Sequence, residues 1–312
     1  MPIQAALIRW YRRVKRDLPW RRTRDPYAIW ISEIMLQQTR VAAVIPYYEK
    51  FLASFPDAAT LARAREESVL ARWAGLGYYS RARNLQKAAR AIVEMGRFPS
   101  TFEEIRELPG IGNYTAAAIA SIAFGLPHAA VDGNVRRVVA RLQGSDSAIE
   151  VAAGKLLDRR DPGQWNQAVM ELGATVCLPR DPACEACPLA RWCEARSSSR
   201  QNELPARRVK PEPVRMKRTL LAIHRDKHVL LCPSTRVRGF WDLPEPFEPA
   251  KVGAVQGTFR HTITFRQYTF EVRRGVAKSI PEGFRWFPQK KLHEIALSTT
   301  AKKALRCLDV QL

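Results

Sequence analysis

Four cysteines fall within seventeen residues, in the pattern Cys177-x6-Cys184-x2-Cys187-x5-Cys193. Thiols gathered at such spacing bind metal. Structural zinc is commonly held by four cysteines, usually as two CxxC pairs. Here only the middle pair has that spacing, and a tightly nested loop of four suits a [4Fe–4S] cube. The remaining cysteines, Cys232 and Cys307, lie far downstream and read as core residues.

A second set of residues lies in ELPGIGNYTAAAIASIAFGLPHAAVDGNVRRVVARL, from Glu107 to Leu142. In Leu108-Pro109-Gly110-Ile111-Gly112, proline fixes one backbone angle and the glycines permit conformations that a Cβ forbids. Backbone N–H groups then open the following Ala-rich helix, where a phosphate is welcome. The pentapeptide is either an ordinary turn between helices or a helix-hairpin-helix clamp on a nucleic-acid backbone, blind to base sequence. About twenty residues later Asp132 sits in Val131-Asp132-Gly133-Asn134-Val135, a turn before an Arg-rich helix. A carboxylate fixed beside a backbone clamp suggests chemistry at the sugar of a bound strand. The other acid is Glu33, in Ile31-Ser32-Glu33-Ile34-Met35-Leu36-Gln37-Gln38-Thr39. Helical geometry places it over Gln37 and beside Trp30. It reads either as a solvent-facing glutamate or as an acid whose pKa is raised by apolar neighbours, as a general acid requires.

These residues need elements to hold them. Apolar residues recur at helical spacing over residues 4–16, and helices are predicted over 27–38, 41–51, 59–73, 81–95, 101–107 and 162–172. The 107–142 stretch adds two more, so the first two-thirds is all-α. Residues 196–218 carry eight basic and two acidic residues with three prolines and a serine run, which reads as a solvated, phosphate-attracting linker. Alternation then follows at 219–224, 228–232 and 268–272, and a final helix is predicted over 298–308. The expected organisation is an all-α domain at 1–198 with a metal loop at 177–193, a basic linker at 199–216, and a small α+β domain at 217–312.

The chain has 51 basic and 30 acidic residues, a net charge of +21. Such an excess points to polyanionic partners. No apolar run approaches the ~18 residues of a spanning helix, so a membrane is not the expected partner. No signal peptide is visible, and a cytoplasmic, bacterial, nucleoid-associated monomer is expected.

LPGIG, the Tyr114-Thr115-Ala116 behind it, and VDGNV-x-R resemble the helix-hairpin-helix and catalytic-Asp segment of the DNA glycosylase superfamily that includes endonuclease III. SEIMLQQT is similar, almost letter for letter, to the catalytic-Glu helix of the adenine DNA glycosylases, the MutY family, and the cysteine spacing resembles the cluster loop of both. The resemblance implies removal of adenine mispaired with 8-oxoguanine or guanine in double-stranded DNA. It gives Glu33 the protonation of adenine N7 and later activation of water. Asp132 would stabilise the oxocarbenium-like sugar. Tyr114 stands where lyase members carry a lysine that attacks the sugar, so base removal without efficient strand cleavage is implied. Tyr114 and Asn134 would support the two acids by hydrogen bonding.

By the same resemblance Gln38 and Tyr78 enter the duplex near the lesion, while Trp20, Arg21 and Glu171 line an adenine pocket. Leu108, Gly110 and Gly112 form the backbone clamp, and Cys177, Cys184, Cys187 and Cys193 hold a [4Fe–4S] cluster. Arg180, Arg191 and Arg196 flank that loop and suggest DNA contacts. Arg238 to Glu245 and Phe259 to Thr262 look like the MutT/Nudix-like domain with which such enzymes recognise 8-oxoguanine. The hydrolytic RE-x-x-E-E helix is absent, which leaves no carboxylate cluster for a diphosphatase magnesium. Family members carry Phe-Ser-His where this chain has Ile263-Thr264-Phe265. Thr264 keeps a hydroxyl for the lesion, but the imidazole is lost.

Overall fold

The computed structural model describes residues 2–206, 212–263 and 265–308. The chain forms two compact units, Met1–Arg63 with Asn84–Arg208, and Ala64–Arg83 with Val209–Leu312. Helices in chain order are α1 (Ile3–Val14), α2 (Pro26–Leu36), α3 (Val41–Ser54), α4 (Ala58–Arg63), α5 (Glu66–Trp73), α6 (Ser80–Glu94), α7 (Phe102–Glu107), α8 (Asn113–Phe124), α9 (Gly133–Gln143), α10 (Ile149–Leu156), α11 (Pro162–Thr175) and the short α12 (Glu194–Ser197). Among the described residues no helix is long and apolar enough to cross a membrane.

In the first unit α2 is the central helix. Asp25 caps it, accepting from the N–H groups of Tyr27 and Ala28 at 3.2 and 3.1 Å, with Pro26 pre-set in the first turn. Every residue from Tyr27 to Met35 is buried, as expected of a helix that is apolar all round. Its neighbour α8 buries Thr115 to Ser121, and the run of alanines there lets the two backbones approach closely. A separate core joins α1, α9, α10 and α11 through Leu7, Trp10, Val138, Val139, Ile149, Trp165 and Leu172.

The predicted helix over 59–73 is two helices, α4 and α5, the second opening on Glu66 and Glu67, whose charges suit a helix N-terminus. The predicted helix over 27–38 stops at Leu36, and Gln38 has φ +56°. α10 was not anticipated. The basic stretch after Arg196 is less free than its composition suggests. Leu204 is buried and its carbonyl accepts from Arg141 Nε at 2.8 Å, while Ala206 N–H donates to Asp146 at 2.7 Å.

The second unit carries a six-stranded mixed sheet of β1 (Val214–Arg225), β2 (His228–Pro233), β3 (Trp241–Asp242), β4 (Lys251–Ile263), β5 (Arg266–Val276) and β6 (Arg285–Pro288). The order is β3-β2-β1-β5-β4, with β6 also on β2. β1 lies parallel to β5, from Val214 opposite Arg266 to Ile223 opposite Gly275, and β4 and β5 form an antiparallel hairpin. Alternation in β1 feeds two faces: Leu220 and Ala222 enter one core, Leu221 and Ile223 the other. The terminal helix α13 (Thr299–Arg306) is capped by Ser298, which accepts from Ala301 N–H at 3.0 Å, and its Ala301, Ala304 and Leu305 join the first of these cores. Thr264 lies outside the described residues, and Phe265 beside it is exposed.

Candidate active site

The helix-hairpin-helix geometry is present. α7 opens with a capping box between Thr101 and Glu104 and leads through 108–112 into α8. Leu108 and Ile111 are buried and anchor the turn, so Leu108 serves as its apolar foot. Gly110 has φ +82°, and a Cβ there would stand 2.7 Å from the Asn84 side chain. Both the dihedral and the close approach exclude other residues. Gly112 is the extended N-cap of α8.

Behind this turn α8 carries Tyr114 towards α2. The Tyr114 hydroxyl donates to Glu33 Oε2 at 2.8 Å and touches Met170 Sδ at 3.8 Å. Glu33 is 6 % exposed. Burial is the main influence on its carboxyl and pushes the pKa up to about 7; the Tyr114 hydrogen bond opposes this, and the negative charge of Asp132 reinforces it. The surface-glutamate reading of Glu33 therefore gives way to the desolvated acid.

Asp132 is the N-cap of α9. Its Oδ1 accepts from Val135 N–H at 2.7 Å, and its Oδ2 accepts from Asn134 Nδ2 at 3.2 Å. Burial outweighs the other influences and raises this carboxyl's pKa on balance, while the donors on Val135 and Asn134 and the charge of Arg137 limit the rise. With donors on both oxygens, Asp132 is the acid arranged to carry a charge. Asn134 is itself held: Arg137 Nη2 donates to its Oδ1 at 2.9 Å and to Gly173 O at 2.7 Å, while Arg137 Nε donates to Cys177 O at 2.7 Å. Gly173 is required here, because a Cβ on it would lie 2.6 Å from Asn134 Cβ.

Glu33, Tyr114, Asp132 and Asn134 share one cleft of about 640 Å³ with Gln38, Trp20, Arg21 and Glu171. Glu171 is no surface charge. Its side chain is fully buried, its Oε2 pairing with Arg16 at 2.7 Å and Arg21 at 2.8 Å. Arg16 also donates from its backbone N and Nε to Oε1, at 3.1 and 2.8 Å. Burial pushes the carboxyl up, but the two guanidiniums overcome that and hold it at about 2. Trp20 is buried and meets Tyr48 edge-on with centroids 5.5 Å apart. Tyr78 belongs to the other unit, where it is half-exposed with φ +48°.

The four cysteines of 177–193 line one cavity together with Arg141 and Arg196. Arg141 Nη1 donates to Cys177 Sγ at 3.2 Å and to Leu178 O at 2.7 Å, and Cys193 Sγ lies 3.4 Å from Arg141 O. Among the described residues no three His, Cys, Asp or Glu side chains gather as they would around a single ion. Four thiols around a shared space, with a guanidinium against one sulfur, are a donor set that fits an anionic thiolate-bound metal group. Of the flanking arginines, Arg196 is paired with Glu185 at 3.0 Å and Arg191 lies 3.8 Å over the Trp192 ring.

Arg16, Arg137, Arg141 and Met170 were not anticipated as site residues. Arg137 was within reach of the sequence, standing one helical step from Asn134. The partners of the other three are contributed across the fold.

A clamp at a helix-hairpin-helix turn beside a buried acid and a second carboxylate is the arrangement of base-excision repair proteins, and residues 31–156 match the model of the HhH-GPD superfamily base excision DNA repair proteins. The structure of a thermostable thymine-DNA glycosylase is similar with a TM-score of 0.59 and 30% identity, over 62% of this chain and 95% of that one. The human adenine DNA glycosylase is 35% identical over an alignment 404 positions long, gaps included, which spans 99% of this chain and 74% of the human protein. The mouse adenine DNA glycosylase is 45% identical over 226 residues, which are 66% of this chain and 44% of the mouse protein. The chain belongs to the adenine DNA glycosylase family.

Proposed function

We propose that this protein hydrolyses the N-glycosidic bond of adenine mispaired with 8-oxoguanine or guanine in duplex DNA. The observation that carries the reading is the pairing of a buried, Tyr114-bonded Glu33 at a pKa of about 7 with an Asp132 whose two oxygens both accept hydrogen bonds, in one cleft. Cleavage leaves positive charge on the sugar, so the leaving base must be protonated and the cation stabilised; the two-carboxylate logic of glycoside hydrolysis applies by analogy. Glu33 is the acid that protonates adenine N7 and then activates water, and Asp132 faces the oxocarbenium. Tyr114 fixes Glu33, and Asn134 fixes Asp132. A phenol at position 114 forms no Schiff base, so the abasic strand stays intact.

Trp20 and Arg21 bound the adenine end of the cleft, where the buried, ionised Glu171 holds the Arg21 guanidinium in place. Gln38 and Tyr78 enter the duplex; the left-handed backbone of both residues is a strain of the kind that persists at functional positions. Leu108, Gly110 and Gly112 set the backbone clamp. Cys177, Cys184, Cys187 and Cys193 hold a [4Fe–4S] cluster, which when bound ties the loop behind α9 together. The strand-rich unit is a MutT/Nudix-like reader of the lesion; its mixed sheet with α13 against one face supports this, and Thr264 supplies a hydroxyl for 8-oxoguanine.

The similarity to a thymine-DNA glycosylase favours one rival, a mismatch thymine glycosylase. Single-turnover assays on duplexes with A opposite 8-oxoguanine, A opposite guanine and T opposite guanine decide between them. Adenine release from the first two is expected; thymine release alone would overturn the proposal.

A further inference from the structure

The loop from Trp73 to Arg81 is wound more tightly than a turn between two helices requires. Gly75 and Gly77 have φ of +126° and +71°, and Tyr78 follows at +48°. For the two glycines this is free of steric penalty, but for a tyrosine it is strained and persists only where neighbours enforce it. The enforcing group is Arg81, a residue only 8 % exposed. Its Nη2 donates to Leu76 O at 3.1 Å and to Gly77 O at 3.2 Å, the two carbonyls that precede Tyr78. Trp73 Nε1 donates to the same Gly77 carbonyl at 3.1 Å. The Arg81 guanidinium also lies over two rings, 5.3 Å from the centroid of Trp73 and 5.5 Å from that of Tyr78. Burial lowers its pKa to about 10, so it is a cation at every working pH.

The outcome is a sorting of two adjacent tyrosines. Tyr79 turns inward, 7 % exposed, with its ring centroid 3.9 Å from that of Phe240. Tyr78 turns outward, 50 % exposed, with its ring resting on the Arg81 guanidinium. A planar guanidinium can fork to two carbonyls and stack on a ring at once; a lysine ammonium cannot do both.

We infer that Arg81 is a positioning residue that holds the Tyr78 ring outward, ready to enter the DNA stack. This rests on the reading of Tyr78 as the residue that enters the duplex. Arg81 touches no reacting group and acts only through Tyr78, and that restriction is what an experiment can read. Arg81→Lys keeps the charge and most of the length but loses the fork and the flat stacking surface.

The test is a double-mutant cycle of Arg81→Lys and Tyr78→Ala, with wild type and all three variants of the full-length protein. The readout is the fluorescence of a 2-aminopurine placed beside an A:8-oxoguanine mispair, which rises when the neighbouring base leaves the stack. Thermal unfolding is followed in parallel. Each single variant is expected to lower the amplitude or rate of the rise by about tenfold, an effect of the size of one lost cation–π contact and one lost charged hydrogen bond. In the Tyr78→Ala background, Arg81→Lys is expected to have no further effect on the fluorescence, even if the unfolding temperature falls again. If Arg81→Lys lowers the signal as much without Tyr78 as with it, Arg81 is merely structural and the inference fails while the reading of Tyr78 stands. If Tyr78→Ala leaves the signal intact, the reading of Tyr78 falls and the inference with it.

Discussion

Replacing Glu33 by Gln should make the protein more stable at alkaline pH while disabling it. A carboxyl whose pKa rises from 4.5 unfolded to about 7 folded keeps its proton in the native state where the unfolded chain has lost it. Stability contributed by the protonated group is therefore full below pH 4.5 and is lost as pH rises through about 7. At about 1.4 kcal/mol per pKa unit, the loss at pH 8 is about 3 kcal/mol. Glutamine carries no ionisable proton and can still accept from the Tyr114 hydroxyl, so Glu33→Gln removes that loss. For a chain of this size it corresponds to an increase of roughly 5–10 °C in the unfolding temperature at pH 8. Calorimetry or helical circular dichroism across pH 4 to 8 measures it. The variant and the parent should coincide near pH 4 and diverge above pH 5. A variant no more stable than the parent at pH 8, or equally stabilised at pH 4, would refute the reasoning, since ionisation would then not be the origin of the difference.

Three further outcomes follow from the same geometry. Tyr114→Phe removes a hydrogen bond that favours the Glu33 carboxylate, so the fall in adenine release with rising pH should move about one pH unit higher or more; a limb that stays in place or moves lower would contradict it. Tyr114→Lys should add some strand cleavage through a Schiff base, read as a borohydride-trapped protein–DNA adduct that the parent does not give. Purified protein should be brown, with broad absorbance near ~400 nm typical of thiolate-bound iron–sulfur centres; Cys187→Ser should bleach it, and a colourless, active protein containing one zinc would overturn the cluster assignment.

Much of the site was legible because its chemistry is local. Asp132, Asn134 and Gly133 are consecutive, and an aspartate before a helix is an N-cap by its own side-chain chemistry. The cysteine loop is contained in seventeen residues. Glu33 was harder. Its helix is apolar on every side, so periodicity gave no buried face to place it on, and only packing against α8 settles its environment. The burial of Glu171 is not legible locally, because its two arginines come from about 150 residues away. In the second unit β1 begins at Val214, inside the stretch whose charge and prolines suggested a solvated linker. Its register against β5 is parallel and long-range, which no local pattern encodes. β4 is hard to read because it is an edge strand whose first six residues are all exposed, and its alternating second half sends only Phe259 and Ile263 as large apolar residues to the core.

Single-turnover adenine release from an A:8-oxoguanine duplex by Glu33→Gln and Asp132→Asn, each checked for folding and DNA binding, tests the roles of the two acids most directly. General acid catalysis contributes ~10²–10⁴-fold and stabilisation of developing charge ~10²–10³-fold. Each variant should therefore release adenine at least roughly a hundred times more slowly than the parent while still binding the mispair. Release by Glu33→Gln within a few-fold of the parent would contradict the assignment of the buried acid and, with it, the mechanism.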